Sequence, residues 1–473
     1  MTAIHAFADD ALGHLDAVGV AAAIAAREVS REEIIAATIE RVQRVDEHLS
    51  AVQVACFERA REQPAPSGVF GGVPTFVKDN VDVRGLPTCC GSAAIAPHPA
   101  KRDMAPARQF LAQGFVLLGK SKMPEFGLTA STEFVGRAPT RNPWNIERSA
   151  GASSGGAAAL VAAGAVPIAH ANDGGGSIRI PAAVNGLVGL KTTRCRLLDQ
   201  PGARQLPVNL AAEGVLTRSV RDTAHYLAAA ERFHADPKLK PVGLVGGPSD
   251  HRLRVGVIRY DVFGRAVHPE IDAVLDSAAD MLARHGHELS ETRLRAGPEY
   301  IEDFKLYWAV FAVLMSVSFK LIHRGNFRPR ELDPFTKGLA AHARRNATRV
   351  IPAIRRLRRG VQLYDEQFTD VDVILSPVLA HPAPKIGEQA PDQPFEELFA
   401  KLTDYVAFTP INNIGGGPGI ALPHGMMADG LPGAVHISAP RGAERTLIEL
   451  AYEIEQASPF PRITDTAPSA HAA

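Results

Sequence analysis

The stretch from Arg148 to Lys191 constrains the fold of this chain most, because it holds two serines inside runs of glycine. Ser153 lies in GASSGG and Ser177 lies in DGGGSIR. Glycine and serine are the commonest loop residues, but glycines on both sides of a serine also let a substrate approach the main chain closely. The segment between the two runs is apolar, first helix-like and then strand-like, which is not typical of a disordered linker. We therefore expect ordered elements that hold both serines.

Three glycines, Gly174, Gly175 and Gly176, directly precede Ser177. Without side chains, such a run leaves a row of unobstructed backbone N–H groups. A concave array of this kind stabilises the negative charge that develops on a substrate oxygen. The pattern therefore predicts that Ser177 is a nucleophile with an oxyanion hole beside it.

A lysine at the end of a short apolar run is the candidate base. Lys78 closes the run VPTFVK, which predicts a strand inside the protein. Burial lowers the pKa of a lysine towards neutrality, and a neutral lysine can accept a proton. The alternative is a lysine whose stem is buried and whose head reaches solvent. This motif alone leaves both interpretations open.

These motifs together resemble the amidase signature family. The matching patterns are G-V-P-x-x-V-K-D, G-x-S-S-G-G, D-x-G-G-S-I-R-x-P-A and G-x-V-G-L-K. The resemblance extends over residues 15–460, is weakest over 225–370, and favours the branch of bacterial amidases that includes 6-aminohexanoate-cyclic-dimer hydrolases. A departure is Gly174, where many members carry a side chain. The resemblance implies an α/β fold, a single unit with a large mixed twisted β-sheet flanked by α-helices on both faces.

The resemblance also implies an amidohydrolase that cleaves a carboxylic amide, a non-peptide or small one, through an acyl-enzyme. Lys78 is then the base, Ser153 relays protons and carries a cis peptide, and Ser177 attacks the amide. The N–H groups of Gly174, Gly175, Gly176 and Ser177 would hold the oxyanion. We expect Asp173 and Arg179 to brace this loop by pairing.

Two alternative functions remain to be weighed. The first is a glutamine-dependent amidotransferase subunit of the same family, which releases ammonia for a partner protein. The second is a nucleotide-binding protein, because Gly114 to Ser121 reads G-x-x-x-x-G-K-S. A phosphate-binding loop requires a strand before its first glycine and a helix after Lys-Ser. Here a helix comes before Gly114 and a strand follows it, so Lys120 is predicted to be structural.

Composition and charge limit the partners. Lys+Arg 51 and Asp+Glu 51 balance to a formal net charge of +0, which offers no argument for nucleic acid or an anionic membrane. The N-terminus is acidic where a signal peptide would be basic, and we expect no stretch long enough to span a bilayer. The four cysteines show no C-x-x-C spacing and no zinc motif is present. We expect a cytoplasmic enzyme with a small-molecule amide substrate, no metal and no cofactor, and leave a homodimer open.

The chain is predicted to have three parts. Residues 1–60 form a helical hairpin whose second helix starts at Ser30, residues 61–462 form the catalytic domain, and residues 463–473 form a disordered tail. Residues 301–360 are predicted to be helical. An aromatic stripe from Phe304 to Met315 is more typical of a core, although the resemblance implies that part of it meets substrate. An arginine cluster within 344–359 is predicted to be a solvated face.

Overall fold

The computed structural model describes residues 3–64, 66–322 and 325–465. The predicted α/β class is confirmed. Residues Ile463–Asp465, which the sequence assigned to a disordered tail, form one turn of 3-10 helix with Ile463 buried. Residues 466–473 of that tail lie outside the described residues.

The helices connect the strands along nearly the whole described chain. They are α1 (Ala17–Ala26), α2 (Arg31–Leu49), α3 (Phe57–Glu62), α4 (Ala105–Leu111), α5 (Gly155–Ala162), α6 (Arg179–Asn185), α7 (Val220–Phe233), α8 (Pro269–Arg284), α9 (Pro298–Ile322), α10 (Pro334–Arg345), α11 (Ala347–Glu366), α12 (Phe395–Tyr405), α13 (Pro410–Gly415) and α14 (Glu444–Ala457).

The strands form one large sheet and two small ones. They are β1 (Val52–Ala55), β2 (Pro74–Lys78), β3 (Val116–Ser121), β4 (Arg141–Asn142), β5 (Asn145–Ser149), β6 (Ile168–Asp173), β7 (Val188–Lys191), β8 (Ala212–Thr217), β9 (Arg254–Val257), β10 (Glu288–Glu291), β11 (Val373–Pro377), β12 (Gly419–Met426) and β13 (Pro432–Ser438).

The large sheet is mixed, as predicted. Its eight strands follow the order β10-β9-β11-β13-β12-β7-β8-β6. The pairs β10/β9 and β9/β11 are parallel, and the remaining pairs are antiparallel. Helices α5, α6 and α8 pack on the sheet, and so do α7 and α14, which also pack on each other. Strand β6, which leads to Ser177, is therefore an edge strand of a buried sheet.

A smaller sheet covers that edge. It has three strands in the order β1-β3-β2, and β2 packs beside β6. The Thr75 hydroxyl on β2 donates a hydrogen bond of 2.8 Å to the carbonyl oxygen of Ile168 on β6. Every residue of both strands is buried, including the polar and charged residues at their C-terminal ends, Lys78 on β2 and Asn172 and Asp173 on β6. This junction brings the end of β2 next to the end of β6.

Helices α1 and α2 are the two N-terminal helices that the sequence predicted; α1 packs against α7, and α2 packs against α3 and α5. The Ser30 side chain accepts from the Glu33 N–H, and the Glu33 carboxylate accepts from the Ser30 N–H. This reciprocal capping satisfies two free donors at the start of a helix. The sequence-based start of α2 is confirmed.

Helix α9 corrects one expectation. It is long and apolar enough, by length and composition, to cross a membrane, whereas the sequence was expected to contain no such stretch. A core helix passes the same test. Its N-terminal half carries buried residues such as Tyr300 and Tyr307, and its C-terminal half exposes Val317 and Leu321. The exposed arginines of α10 and α11, from Arg344 to Arg359, form the predicted solvated face.

Candidate active site

Lys78 lies at the end of β2 with no exposed surface. The interpretation in which its head reaches solvent is therefore wrong. Its Nζ lies 2.7 Å from Ser153 Oγ, 2.8 Å from Ser154 Oγ and 2.7 Å from Asn172 Oδ1. Burial lowers the pKa of Lys78 to about 7, and the negative charges of Glu213 and Asp173 oppose this shift. An amine with this pKa is largely neutral at mildly alkaline pH, so it can accept a proton.

Ser153 and Ser154 lie in the turn between β5 and α5. Gly151 enters this turn at a φ of 89°, and a Cβ on it would lie 2.8 Å from the Cα of Pro181 in α6. A side chain at this position would collide with backbone, which is why the turn requires glycine. The close approach of α6 brings the Ser177 loop against the Ser153 turn.

Ser177 lies in the loop between β6 and α6. The Ser153 N–H donates to Ser177 Oγ at 3.2 Å, so the two serines are neighbours. No hydrogen bond between the two hydroxyl oxygens is found among the described residues. Every peptide bond in the described part of the chain is trans, which contradicts the expected cis peptide at Ser153. Trans is the lower-energy form for a residue other than proline.

The loop from Gly174 to Ser177, whose N–H groups were expected to hold the oxyanion, differs from that expectation at Gly176. The Gly176 N–H donates to Asp173 Oδ1 at 2.6 Å, so it is already occupied. Within the described residues, the N–H groups of Gly174, Gly175 and Ser177 have no hydrogen-bond acceptor. Gly174 is exposed, while Gly175 and Ser177 are partly exposed. Three unoccupied donors therefore lie on exposed or partly exposed residues of the loop.

Asp173 and Arg179 form the expected pair beneath this loop. The Arg179 Nε lies 2.9 Å from Asp173 Oδ2, and both side chains are fully buried. Burial opposes ionisation of Asp173, but the Arg179 guanidinium holds the pKa of that carboxyl well below its usual range. The Asp173 carboxylate also accepts from the N–H groups of Gly176 and Ile178. The pair therefore fixes the loop backbone on both sides of Ser177.

Sequence reasoning assigned no role to two residues that border the site, Asn172 and Ser154, and both contact Lys78. Phe304 on α9 lies over the loop from Gly174 to Ser177, its Cζ 3.4 Å from where a Cβ on Gly175 would lie. The position of Asn172 at the end of an apolar strand, beside Asp173, is a signal that could have identified it.

Lys120 lies outside this site. Helix α4 precedes Gly114 and β3 contains Lys120, which confirms the secondary structure that argued against a phosphate loop. The Lys120 Nζ lies 3.1 Å from Asp79 Oδ1, and both side chains are fully buried. It also donates to the Pro87 carbonyl oxygen at 2.9 Å and to Thr88 Oγ1 at 2.6 Å. These partners give Lys120 a structural environment.

No group of three or more His, Cys, Asp or Glu residues that could hold a metal ion occurs in the described ranges. The candidate site contains three serines, a buried lysine, an asparagine and backbone donors. Such an arrangement can support proton transfer and nucleophilic attack by a hydroxyl.

Comparison with known proteins shows which family this chain matches. The family model described as Amidase matches residues 33–448. The AmiC protein of Mycobacterium leprae (strain TN), an amidase by its name, is 45% identical over 466 residues, which is 98% of this chain and 99% of the relative.

Two solved structures share the fold. A 6-aminohexanoate cyclic dimer hydrolase complexed with substrate superimposes with a TM-score of 0.87 and 32% identity, covering 95% of this chain and 98% of that one. A bacterial aryl acylamidase of the amidase signature family superimposes with a TM-score of 0.82 and 25% identity, covering 94% and 96%.

Proposed function

The chain belongs to the amidase family and hydrolyses carboxylic amides, and on that premise we propose that Lys78, Ser153 and Ser177 are its catalytic residues. The assignment rests on two contacts that connect Lys78 to Ser177 through Ser153. Lys78 Nζ lies 2.7 Å from Ser153 Oγ, and the Ser153 N–H lies 3.2 Å from Ser177 Oγ. A serine hydroxyl becomes an activated nucleophile when a base, acting through a relay, lies within hydrogen-bond reach of it.

The reaction then proceeds in two halves. Ser177 Oγ attacks the carbonyl carbon of the amide while its proton passes to Ser153 Oγ, whose own proton passes to neutral Lys78. The free N–H groups of Gly174, Gly175 and Ser177 stabilise the oxyanion. The C–N bond breaks as the proton returns along the same path to the leaving amine. Water then attacks the ester of Ser177, and the acid is released.

A rotation of the Ser177 hydroxyl completes this path. In the structure the Ser177 oxygen accepts from the Ser153 backbone rather than bonding to the Ser153 hydroxyl. Catalytic hydrogen bonds are often long or poorly aligned until the substrate binds. The Ser153 N–H remains useful in this arrangement, because it stabilises the negative charge on Ser177 Oγ during attack.

Helix α9 supports an uncharged, apolar substituent on the amide. Phe304 lies over Gly175, and fifteen residues later Phe319 stacks on Phe126 at 5.0 Å between ring centroids. Phe126 precedes Gly127, where a Cβ would lie 3.3 Å from Ser153 Oγ. At 1.5 Å per residue this part of α9 is about 22 Å long. Aromatic rings near the two ends of the helix therefore contact Gly175, two residues before Ser177, and Phe126, which adjoins a neighbour of Ser153.

The charges of α9 nearest Phe304 are committed to other partners. The Asp303 carboxylate accepts two hydrogen bonds from Arg356, each of 2.6 Å. The Lys305 Nζ lies 2.9 Å from Glu302 Oε1. Neither side chain is free to bind a charged group on the substrate. This favours an aliphatic or aromatic amide over one with an α-amino and a carboxylate group, such as glutamine.

The direct test is covalent labelling. The protein is treated with a fluorophosphonate, digested, and the adduct mapped by mass spectrometry. We expect the adduct on Ser177, and Ser177→Ala should abolish it. An adduct on Ser153, or loss of activity through a cysteine with no serine adduct, would refute the assignment.

Ser154 provides a matched control for the relay. Both Ser153 and Ser154 contact Lys78, but the Ser153 turn alone reaches Ser177 Oγ. We expect Ser153→Ala to slow labelling by on the order of 10³-fold, as removal of a cooperating catalytic group does. Ser154→Ala should slow it much less. Equal effects of the two substitutions would show that Ser153 is not a relay.

A further inference from the structure

Asn172 is held in one orientation beside the candidate base. Its Nδ2 donates to Asn80 Oδ1 at 3.0 Å and to Glu213 Oε2 at 3.4 Å. An ionised carboxylate only accepts hydrogen bonds, so Glu213 fixes the amide with its nitrogen outward and its oxygen towards Lys78. The Asn172 Oδ1 atom then accepts from Lys78 Nζ at 2.7 Å.

Ser154 is oriented by the main chain of the same residue. Its hydroxyl donates to the Asn172 carbonyl oxygen at 3.3 Å. Because that hydroxyl has a single proton, its oxygen must accept from Lys78 Nζ, which lies 2.8 Å away. Asn172 therefore determines the hydrogen-bonding role of two of the groups around the amine.

Counting the protons of the Lys78 amine shows where its lone pair points. A neutral lysine has two N–H donors and one lone pair. Four oxygens lie within hydrogen-bond distance of the amine, and the most distant, the Asn172 carbonyl oxygen at 3.3 Å, already accepts from Ser154. Asn172 Oδ1 takes one donor and Ser154 Oγ takes the other, so the lone pair is left for the third close neighbour, Ser153 Oγ, at 2.7 Å. After Ser153 transfers its proton, the ammonium has three donors for the same three oxygens. Only one proton has changed position.

We propose that Asn172 is a positioning residue that directs the lone pair of neutral Lys78 at the Ser153 hydroxyl. The proposal rests on the proposed function of Lys78 as base. Asn172 touches neither the amide nor the nucleophile, and it acts through the orientation of the amine. Its neutral side chain gives Lys78 an acceptor without adding a full negative charge in contact with it.

The charged and titratable groups around Lys78 come from three elements. Glu213 lies on β8, Asp173 ends β6, and Cys90 follows β2. Asp173 is paired with Arg179. Glu213 receives hydrogen bonds from Asn172 and from Gln200 Nε2 at 3.1 Å, and its Oε2 lies 3.0 Å from Nε2 of the buried His170 on β6. Asn172 thus contacts both the amine and the Glu213 carboxylate.

The test compares two equivalent substitutions by the pH dependence of kcat/KM. Asn172→Asp places a carboxylate in contact with Lys78, whereas Asn80→Asp places one next to Asn172, at a residue that makes no hydrogen bond to Lys78 among the described residues. An opposite charge in contact raises the pKa of a lysine by about 1–3 units. In the pH profile of kcat/KM, we expect the rising limb to move to higher pH by that amount in Asn172→Asp. The shift should be smaller in Asn80→Asp.

A third variant, Asn172→Ala, keeps the proposal testable if Asn172→Asp does not fold. Asn172→Ala removes the acceptor and adds no charge, so the plateau of kcat/KM should fall by about 10- to 100-fold with no upward shift of the limb. Each value is normalised to the sites that a fluorophosphonate labels. A limb for Asn172→Asp that coincides with the wild-type limb, or an unchanged plateau for Asn172→Ala, overturns the proposal. Absence of Ser177 labelling in the wild type would instead overturn the proposed function.

Discussion

The most informative perturbation of substrate selection is Phe304→Ala. The ring lies 3.4 Å from the position of a Cβ on Gly175, beside the free oxyanion donors. Burying one methylene contributes about 0.8 kcal/mol, which is about fourfold in kcat/KM. From acetamide to hexanamide the wild-type value should therefore rise by on the order of 100-fold, if the added chain lies along α9.

Phe304→Ala should reduce that selectivity. Loss of the ring removes apolar contact worth about 1.5–3 kcal/mol, so kcat/KM for hexanamide should fall by about 10- to 100-fold. The value for acetamide, which is too short to reach the ring, should stay within about threefold. The assay is ammonia release from a series of primary amides, with glutamine included as a charged amide.

Trp308→Ala is the matched control on the same helix. Its ring packs edge-to-face against Phe335 and Phe399, at centroid distances of 5.9 and 5.5 Å. It should lower stability without changing the slope of kcat/KM against chain length. Equal losses for acetamide and hexanamide in Phe304→Ala would refute the reasoning, because the ring would then support the Gly175 loop rather than bind substrate. Efficient turnover of glutamine would refute the apolar assignment.

Two further predictions concern the buried lysines. Lys78→Arg keeps a cation but cannot deprotonate in the working range, so kcat/KM should fall by on the order of 10³-fold or more, as in Lys78→Ala. In the wild type kcat/KM should rise with pH along a single limb near pH 7, because the base is active only when neutral; near-normal turnover by Lys78→Arg would contradict both. Lys120→Ala leaves Asp79 buried without its partner, so urea denaturation should show a loss of about 3–5 kcal/mol in stability. Amide hydrolysis per folded site should stay within about tenfold of wild type, and ATP binding lost only in that variant would contradict this structural role.

The parts of the site that the sequence revealed are those where backbone geometry demands a particular residue. Gly151 faces Pro181 so closely that no Cβ fits, and Gly176 has a φ of 136° with Thr409 Oγ1 2.4 Å from the place of its Cβ. Such requirements exclude every residue but glycine at one position, so they leave glycine-rich patterns that can be recognised. The helix and strand between Ser153 and Ser177 were predicted from the apolar residues of that segment.

The parts that the sequence did not reveal depend on contacts between distant segments. Asn172 and Ser154 meet Lys78 only because β2 packs against β6. The Gly176 N–H is occupied because Asp173 turns back on its own loop, which a run of glycines does not indicate. The length and apolar character of α9 were underestimated, because one face of it joins the core and another stays exposed.

Three buried lysines show why burial alone does not identify the base. Lys78, Lys120 and Lys191 all lie on buried strands, and burial lowers the pKa of both Lys78 and Lys191 to about 7. Lys191 Nζ donates to the carbonyl oxygens of Thr192 and Gly417, which have no proton to give. Lys120 is paired with a carboxylate. Lys78 instead faces the hydroxyl of Ser153, whose backbone N–H donates to Ser177 Oγ, so the chemistry of its partners, and not its pKa, supports its proposed role as the base.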